Sequence, residues 1–167
     1  MPISRDSRNI LSDAQTDARA KIVELLTVAY WMEIETVMNY IANSTNPEGV
    51  RGQEIVKSLA ADIVEELAHA QLFAKRIKEL YGTVPGSKQF QASQDALQPP
   101  TDSLDLVHVI RGVIKYENGA IEHYSDMIEA TNGIDPVTQD MLTTILAAEQ
   151  NHLRTFEGFL REYNGDN

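Results

Sequence analysis

Two copies of the short motif Glu-x-x-His, one in each half of the sequence, have the residue types and spacing of metal ligands. Glu66 precedes His69 by three positions, and Glu149 precedes His152 by three. On an α-helix, residues three positions apart lie on the same face, so each pair presents a carboxylate and an imidazole together. A single pair is a weak signal, because Glu is common in this chain. The repetition of the pair makes the pattern more specific.

Each half also contains a glutamate that is followed seven positions later by a tyrosine. These are Glu33 with Tyr40 and Glu117 with Tyr124, and seven residues make two turns of a helix. The offset from the lone glutamate to the motif glutamate is 66 − 33 = 33 in the first half and 149 − 117 = 32 in the second. This matched spacing predicts four carboxylates and two imidazoles at one level of a helical bundle. The predicted metal ligands, which are also the predicted catalytic residues, are Glu33, Glu66, His69, Glu117, Glu149 and His152.

Four carboxylates and two imidazoles suit a pair of divalent iron or manganese ions. Carboxylates can bridge two ions and balance their charge, and each imidazole adds a nitrogen ligand. The sequence contains no cysteine, which excludes zinc–thiolate sites, iron–sulfur clusters and disulfides. A purely structural network would leave excess negative charge in an apolar interior, since His69 and His152 are the only bases on the predicted inward faces. The pattern therefore favours a dinuclear metal site.

The other histidines and the two tyrosines have different expected roles. His108 and His123 have no counterpart in the other half of the sequence, so we expect them at the surface or at a helix end. Tyr40 and Tyr124 are expected to support the ligands by hydrogen bonding to a carboxylate. Electron relay and simple core packing are the alternatives for these tyrosines.

Composition limits the class of protein. A chain of 167 residues, 43% of them hydrophobic, can form one domain with a sizeable core. The polar N-terminus lacks the apolar run of a signal peptide, and no segment is apolar enough to cross a bilayer, so we expect a cytoplasmic protein with no membrane partner. The formal net charge of −11 argues against nucleic acid as a partner, because phosphate binding needs clustered Lys and Arg. A field of this sign attracts cations.

Four long segments with helical periodicity lie between clusters of Gly and Pro, and no segment shows the alternation of a β-strand. The predicted helices run from Ser12 to about Ser44, from about Gly52 to Tyr81, from Asp102 to Asn132 and from Asp135 to about Tyr163. Ser12 and Gln15 are predicted to form a capping box at the first helix. Asp102 and Asp135 are predicted to cap the third and fourth helices, and Gly82 to end the second.

Short joints within each half predict two antiparallel helical hairpins. The polar segment 83–101 between them is too long for a turn and is either disordered or an ordered crossover. The predicted fold class is therefore all-α, an antiparallel four-helix bundle with one long crossover between helices two and three. The predicted organisation is an N-terminal tail at 1–11, the bundle at 12–163 and a C-terminal tail at 164–167.

These features resemble the bacterioferritin and ferritin-like superfamily over about residues 12–163. The specific similarities are the six predicted ligands, the run Glu-Leu-Ala-His-Ala-Gln at 66–71 and the run Ala-Glu-Gln-Asn-His at 148–152. The resemblance implies that two iron ions bind per subunit. It implies ferroxidase activity, in which Fe(II) is oxidised by O2 or H2O2, and storage of Fe(III) mineral in a protein shell. It assigns Glu33, His69 and a bridging Glu66 to one ion, and Glu117, His152 and a bridging Glu149 to the other.

Two departures from the bacterioferritin pattern change what the resemblance implies. Bacterioferritins bind haem through a methionine directly after the first motif glutamate, where this sequence has Leu67, so no haem is expected. Ferritins and bacterioferritins also carry a fifth helix, which is not expected after Tyr163 here. The smaller Dps family lacks that helix and forms shells of twelve subunits, so the chain resembles a Dps-like mini-ferritin with a bacterioferritin-type site, and a 12-mer is favoured.

Two other functions are compatible with the same residues. The first is a dimanganese catalase, or another di-iron oxidase that stores no iron. The second is a non-enzymatic helical protein whose polar core only fixes the register of the helices.

Overall fold

The computed structural model of the protein describes residues 6–164, which form four long α-helices and four short 3₁₀ turns. The α-helices are α1 (Thr16–Thr45), α2 (Gln53–Glu79), α3 (Leu106–Thr131) and α4 (Pro136–Asn164). No β-strand occurs between residues 6 and 164. None of the helices there combines the length and the apolar character needed to span a membrane. The predicted fold class, an all-α four-helix bundle, is confirmed.

The helices pair as two hairpins, α1 with α2 and α3 with α4. Tyr40 near the end of α1 bonds to Glu117 in the middle of α3, and Tyr124 further along α3 bonds to Glu33, which lies earlier in α1. These crossed contacts make α1 and α3 antiparallel. Because α1 is also antiparallel to α2, helices α2 and α3 run in the same direction. The chain must therefore return along the bundle between them, over roughly 40 Å for a helix of 27 residues.

The returning segment, residues 80–105, is an ordered crossover that is held by polar residues of α1. The carboxylate of Glu35 accepts hydrogen bonds from the backbone N–H groups of Ser93 and Gln94, both at 2.7 Å, and from the Ser93 hydroxyl at 3.0 Å. The Asn43 side chain donates to the Leu97 carbonyl at 2.7 Å. Of the two alternatives for this segment, the ordered crossover is the one observed.

Two apolar clusters fill the bundle interior, one on each side of a polar layer. The first cluster contains Ile22, Leu26, Ala29, Phe73, Ile77, Leu80, Tyr124, Met127, Leu142 and Ile145. The second contains Tyr40, Ile55, Leu59, Leu97, Leu106, Val109, Ile110, Val113 and Phe156. Ile10, from the segment predicted as an N-terminal tail, is 9% exposed and packs against the first cluster. Residues 1–5 and 165–167 of the two predicted tails lie outside the described residues.

The predicted capping box at the first helix is wrong. The Ser12 hydroxyl donates to the Ser7 carbonyl at 3.3 Å, and the Gln15 amide donates to the same carbonyl at 2.9 Å. Both side chains therefore bind the preceding turn, and α1 begins at Thr16 after a 3₁₀ turn, Asp13–Gln15.

The predicted cap of the third helix is also wrong, because α3 begins three residues later. Asp105 caps it by accepting a hydrogen bond from the His108 N–H at 3.0 Å. Asp102 instead accepts from the Leu104 N–H at 2.9 Å within the preceding turn. Both aspartates suit a cap by type, and the turn decides between them.

The predicted cap of the fourth helix is confirmed, since Asp135 accepts from the Thr138 N–H at 3.2 Å. The fully buried Asp135 also pairs with Arg76 at the end of α2, with N–O distances of 2.8 and 2.9 Å. Arg76 donates to the Thr138 hydroxyl at 2.8 Å as well. This buried cluster joins the end of α2 to the start of α4.

The end of α2 is a Schellman motif in which Tyr81, rather than Gly82, is in the left-handed region, with φ of 66°. The Gly82 N–H bonds to the Ile77 carbonyl at 2.8 Å, and the Tyr81 N–H to the Lys78 carbonyl at 3.1 Å. A Cβ at Gly82 would lie 2.8 Å from side-chain carbons of Ile77 and Val23. Gly82 therefore marks the helix end, as predicted, but it is required for space and not for its φ angle.

The crossover passes so close to α3 at Gly112 that alanine there is expected to destabilise the protein. A Cβ at Gly112 would lie 2.5 Å from the Ala96 carbonyl oxygen and 3.3 Å from the Leu97 Cα. We expect Gly112→Ala to lower the free energy of unfolding by about 1–3 kcal/mol, as overpacking does. Gly119→Ala on the same helix meets nothing within 4 Å and should raise it by about 0.5–1 kcal/mol, because Ala is the better helix former. Urea unfolding followed by circular dichroism measures both, and equal effects would contradict the close approach.

Candidate metal centre

All six predicted ligands point into the polar layer between the two apolar clusters. Each is buried, and His69, the most exposed, is 8% exposed. Their ligand atoms form two groups, within each of which every atom lies within 4.8 Å of the others. The first group is Glu33, Glu66, His69 and Glu149, and the second is Glu66, Glu117, Glu149 and His152. Glu66 and Glu149 belong to both groups, which is the arrangement of two carboxylates between two adjacent metal positions.

The imidazole of His69 faces carboxylates from both halves of the chain. Its Nδ1 lies 3.1 Å from Glu66 Oε2 on the same helix and 3.0 Å from Glu149 Oε1 on α4. Glu33 Oε1 on α1 is 3.8 Å away. One nitrogen of His69 thus points at the centre of the first group.

His152 has the equivalent surroundings in the second group. Its Nδ1 lies 3.3 Å from Glu66 Oε1, 3.5 Å from Glu149 Oε2 and 3.9 Å from Glu117 Oε1. The contacts of His69 and His152 also fix the direction of the helices. Glu66 faces His152 and His69 faces Glu149, so α2 and α4 are antiparallel.

The two tyrosines bind ligand carboxylates across the bundle. The Tyr40 hydroxyl donates to Glu117 and the Tyr124 hydroxyl donates to Glu33, each through a short hydrogen bond. Both tyrosines are fully buried, and burial next to these carboxylates raises the pKa of each hydroxyl well above its usual value. The hydroxyls therefore remain protonated donors at neutral pH.

Burial and mutual repulsion shift the pKa values of the outer carboxylates upward. Burial is the largest cause at Glu33 and Glu117, followed by the charges of Glu66 and Glu149, and the pKa of each rises well above its ordinary value. In the metal-free protein these two carboxyls therefore tend to hold protons.

The pKa shifts of the shared carboxylate Glu66 and of the two imidazoles favour the charged form of each group, unlike those of Glu33 and Glu117. Burial acts to raise the pKa of Glu66, but the adjacent His152 and His69 outweigh it and lower this pKa to about 2. Burial acts to lower the pKa of the imidazoles, but Glu149 and Glu66 outweigh it and raise the pKa of His69 to about 9 and that of His152 to about 12. Without a metal ion, protons supply the positive charge in this layer.

The donor set fits metal ions, because two of its atoms are buried without a hydrogen bond. Glu149 Oε1 and His152 Nδ1 have no partner of hydrogen-bonding geometry, although oppositely charged groups lie near them. Within residues 6–164, the four ligand carboxylates form ion pairs with His69 and His152 and with no Lys or Arg. Carboxylates that can bridge, imidazole nitrogens and unfilled acceptor capacity together suit a pair of divalent iron or manganese ions.

Two acidic residues behind His152 were not predicted. Its outer nitrogen, Nε2, lies 3.2 Å from Glu65 Oε2 and 3.7 Å from Asp62 Oδ1. Asp62 is 8% exposed and burial raises its pKa to about 6. The signal for Glu65 in the sequence is that it directly precedes the ligand Glu66.

The remaining histidines lie outside the two ligand groups, but of the two only His108 has the predicted position at the surface. His108 is exposed, and its Nε2 lies 2.9 Å from the Gln98 carbonyl of the crossover. His123 is partly buried, with Nε2 3.3 Å from the Leu25 carbonyl. Neither belongs to a group of potential metal ligands within residues 6–164.

The sequence of the chain matches a profile of the ferritin-like domain over residues 23–165. The chain belongs to the ferritin-like family. Its relatives include a bacterioferritin from Desulfovibrio desulfuricans, 27% identical over 142 residues that make up 84% of this chain and 75% of that protein. A DNA protection during starvation protein from Pyrococcus furiosus is 27% identical over 144 residues, which are 84% of this chain and 77% of the relative.

Solved structures of ferritin-like proteins share the fold. A bacterioferritin-related protein from Bacteroides fragilis, described as a dodecameric thioferritin, superposes with a TM-score of 0.82 at 25% identity over 96% of this chain and 95% of its own. The structure of the D. desulfuricans bacterioferritin, described as having a diiron site, superposes with a TM-score of 0.78 at 24% identity over 90% and 84%. This ferritin-like protein therefore has both bacterioferritin and Dps relatives, as predicted.

Metal binding to this ferritin-like centre is expected to release protons and to strengthen as the pH rises. The raised pKa values of Glu33 and Glu117, of His69 (about 9) and of His152 (about 12) mean that protons occupy the metal-free site at neutral pH. A metal ion must displace them, so affinity should increase by about tenfold per pH unit for each proton displaced. The contribution of His69 should level off near pH 9, and that of His152 only near pH 12. Calorimetric titration with Co(II), in buffers that differ in heat of ionisation, counts the protons. His108→Ala should release the same number, and an affinity that does not change with pH would contradict this prediction.

The cross-bundle tyrosine hydroxyls are expected to strengthen metal binding. Tyr40→Phe and Tyr124→Phe each remove the donor to one ligand carboxylate, and loss of such a partner typically costs about 10–100-fold in metal affinity. Tyr30→Phe is the matched control, because the Tyr30 ring packs against Trp31 outside the centre. Co(II) titration of the three variants makes the comparison. Unchanged metal affinity in Tyr40→Phe and Tyr124→Phe would show that the two tyrosines serve only to pack the core.

Proposed function

We propose that this protein is a ferroxidase that binds two Fe(II) ions per subunit, oxidises them to Fe(III) with O2 or H2O2, and stores the product as mineral inside an oligomeric shell. One observation carries the proposal. Four buried carboxylates and two imidazoles, from two matched halves of the chain, converge in two groups of potential metal ligands that share Glu66 and Glu149.

The two metal positions follow from the two groups. We assign Glu33 and His69 to one iron ion and Glu117 and His152 to the other, with Glu66 and Glu149 shared between them. The four carboxylates would balance two divalent ions, and they bind Fe(III) at least as well as Fe(II), which favours oxidation. Bound iron supplies the electrons that reduce the oxidant. The protein holds the ions adjacent, excludes bulk water and releases the displaced protons.

The storage part of the proposal rests on relatives. The B. fragilis protein is described as dodecameric and related to bacterioferritin, and one relative in sequence is itself a bacterioferritin. We therefore propose a shell of twelve subunits for this chain. We propose that the protein binds no haem, since Leu67 occupies the position of the haem-binding methionine. We also propose a cytoplasmic location.

DNA binding is not part of the proposed function. The name of the P. furiosus relative refers to DNA protection, but this chain has 25 acidic residues against 14 Lys and Arg. Its net charge opposes binding to phosphate, while the same charge attracts Fe(II).

Stopped-flow absorbance after anaerobic loading with two Fe(II) per subunit tests the ferroxidase proposal. Mixing with O2 or H2O2 should give a fast phase of Fe(III) formation. Glu66→Ala and His152→Ala should slow this phase by more than about 100-fold. Loss of a residue that only hydrogen-bonds a ligand already costs up to about 100-fold, and these variants lose a ligand itself. His108→Ala and Glu122→Ala change exposed residues outside the centre and should keep the parent rate.

Two results would overturn the ferroxidase proposal. Ligand variants that oxidise Fe(II) as fast as the parent would show that the chemistry occurs elsewhere. Manganese in the untreated protein, together with conversion of H2O2 to O2 and no oxidation of Fe(II), would assign the centre to a dimanganese catalase.

A further inference from the structure

The two halves of the centre are related by a constant offset, so each contact can be compared with its counterpart. Glu66 and His69 recur 83 residues later as Glu149 and His152, since 149 − 66 = 83 and 152 − 69 = 83. The structure shows the same relation in space. His69 approaches Glu66 and Glu149, and His152 approaches Glu149 and Glu66. The centre therefore has an approximate twofold symmetry.

One contact breaks this symmetry. The outer nitrogen of His152, Nε2, lies 3.2 Å from Glu65 on α2, with Asp62 behind it at 3.7 Å. By the approximate symmetry, the counterparts of Glu65 and Asp62 are the positions 83 residues later, Ala148 and Ile145 on α4. Neither side chain can accept a hydrogen bond. Among residues 6–164, the hydrogen bond and ion pairs of His69 all involve Nδ1, the nitrogen that faces the carboxylates.

The missing carboxylate matters because a hydrogen bond at Nε2 of a ligating imidazole changes how strongly Nδ1 binds a metal ion. When Nδ1 binds a metal ion, Nε2 carries the proton. A carboxylate that accepts this proton in a hydrogen bond fixes the orientation of the ring and makes Nδ1 a stronger donor. His152 has such a partner in Glu65, whereas the equivalent positions in the other half of the chain hold Ala148 and the buried Ile145.

We infer that the two metal positions are unequal: Glu65 is a positioning residue that makes the His152 position the tighter one, and Ala148 leaves the His69 position the weaker and more readily exchanged one. This inference rests on the proposed dinuclear site and adds an order of filling and release. The first ion binds at His152 and stays there. The ion at His69 is the one that leaves.

The burial of the two residues agrees with this assignment. Glu65 has a side chain that is 57% exposed, so it can reach His152 from the bundle surface without the cost of a fully buried carboxylate. Ala148 is partly buried at the matching place on α4, which leaves room for a longer side chain that extends toward solvent. A carboxylate can therefore be removed from one half and added to the other.

Anaerobic calorimetric titration of the metal-free protein with Co(II) tests the inequality, with anomalous diffraction from crystals that contain one Co(II) per subunit to identify the filled position. The parent should bind two ions with affinities at least tenfold apart, and the single ion should lie beside His152. Glu65→Ala should weaken the tighter step by about 10–100-fold and leave the weaker step unchanged. Glu65→Gln, which keeps an acceptor oxygen, should recover part of that loss.

The complementary variant places the missing carboxylate in the other half. Ala148→Glu should strengthen the weaker step and bring the two affinities closer together. Glu122→Ala, at an exposed position outside the centre, removes one negative charge and is therefore the charge control for Glu65→Ala. A purely structural role for Glu65 would lower the melting temperature without changing one binding step selectively.

The outcomes separate this inference from the proposed function. Two ions that bind the parent with equal affinity, a single ion found beside His69, or equal weakening of both steps by Glu65→Ala would overturn the inequality and leave the dinuclear site intact. Failure of the parent to bind two ions at all would overturn the proposed function itself.

Discussion

Four carboxylates and two imidazoles share a layer of the bundle interior in which the ligand atoms of each group lie within 4.8 Å of one another. Apolar clusters lie on both sides of this layer along the bundle, so water screens the charges poorly. Two protonated imidazoles balance at most two of the four carboxylates. The remaining charge must be met by protons or by metal ions. The upward pKa shifts of Glu33 and Glu117 show that protons can meet this charge in the metal-free protein. A pair of divalent cations is the alternative.

The same polar layer is consistent with only one arrangement of the helices. The bonds from Tyr40 to Glu117 and from Tyr124 to Glu33 hold α1 and α3 antiparallel. The imidazole contacts hold α2 and α4 antiparallel. With two hairpins, α2 and α3 are then parallel, and the chain must return along the bundle. Glu35 holds the returning crossover by hydrogen bonds to its backbone. Gly112 leaves the space in which the crossover passes α3.

The sequence predicted the four helices and the six convergent residues because both depend on spacing along a helix, which is local. The role of Glu35 was not predictable. It lies two positions from Glu33, on another side of α1, and an acid there looks like any solvated residue until the crossover covers it. The caps at Ser12 and Asp102 were mispredicted for a related reason, since short turns before α1 and α3 use those side chains. Glu65 lay beside a predicted ligand, but its contact with His152 depends on how α2 and α4 face each other.

The cost of the polar layer explains why so much of the molecule is arranged around it. Groups that repel one another in a dry interior favour the unfolded chain, and packing elsewhere must offset them. The two apolar clusters, the buried pair of Arg76 with Asp135 and the anchored crossover provide that packing. Any cation that binds the folded layer and not the unfolded chain then adds its binding free energy to stability. The metal-free protein would then be the less stable form, and packing outside the polar layer would hold it folded until metal ions replace the protons.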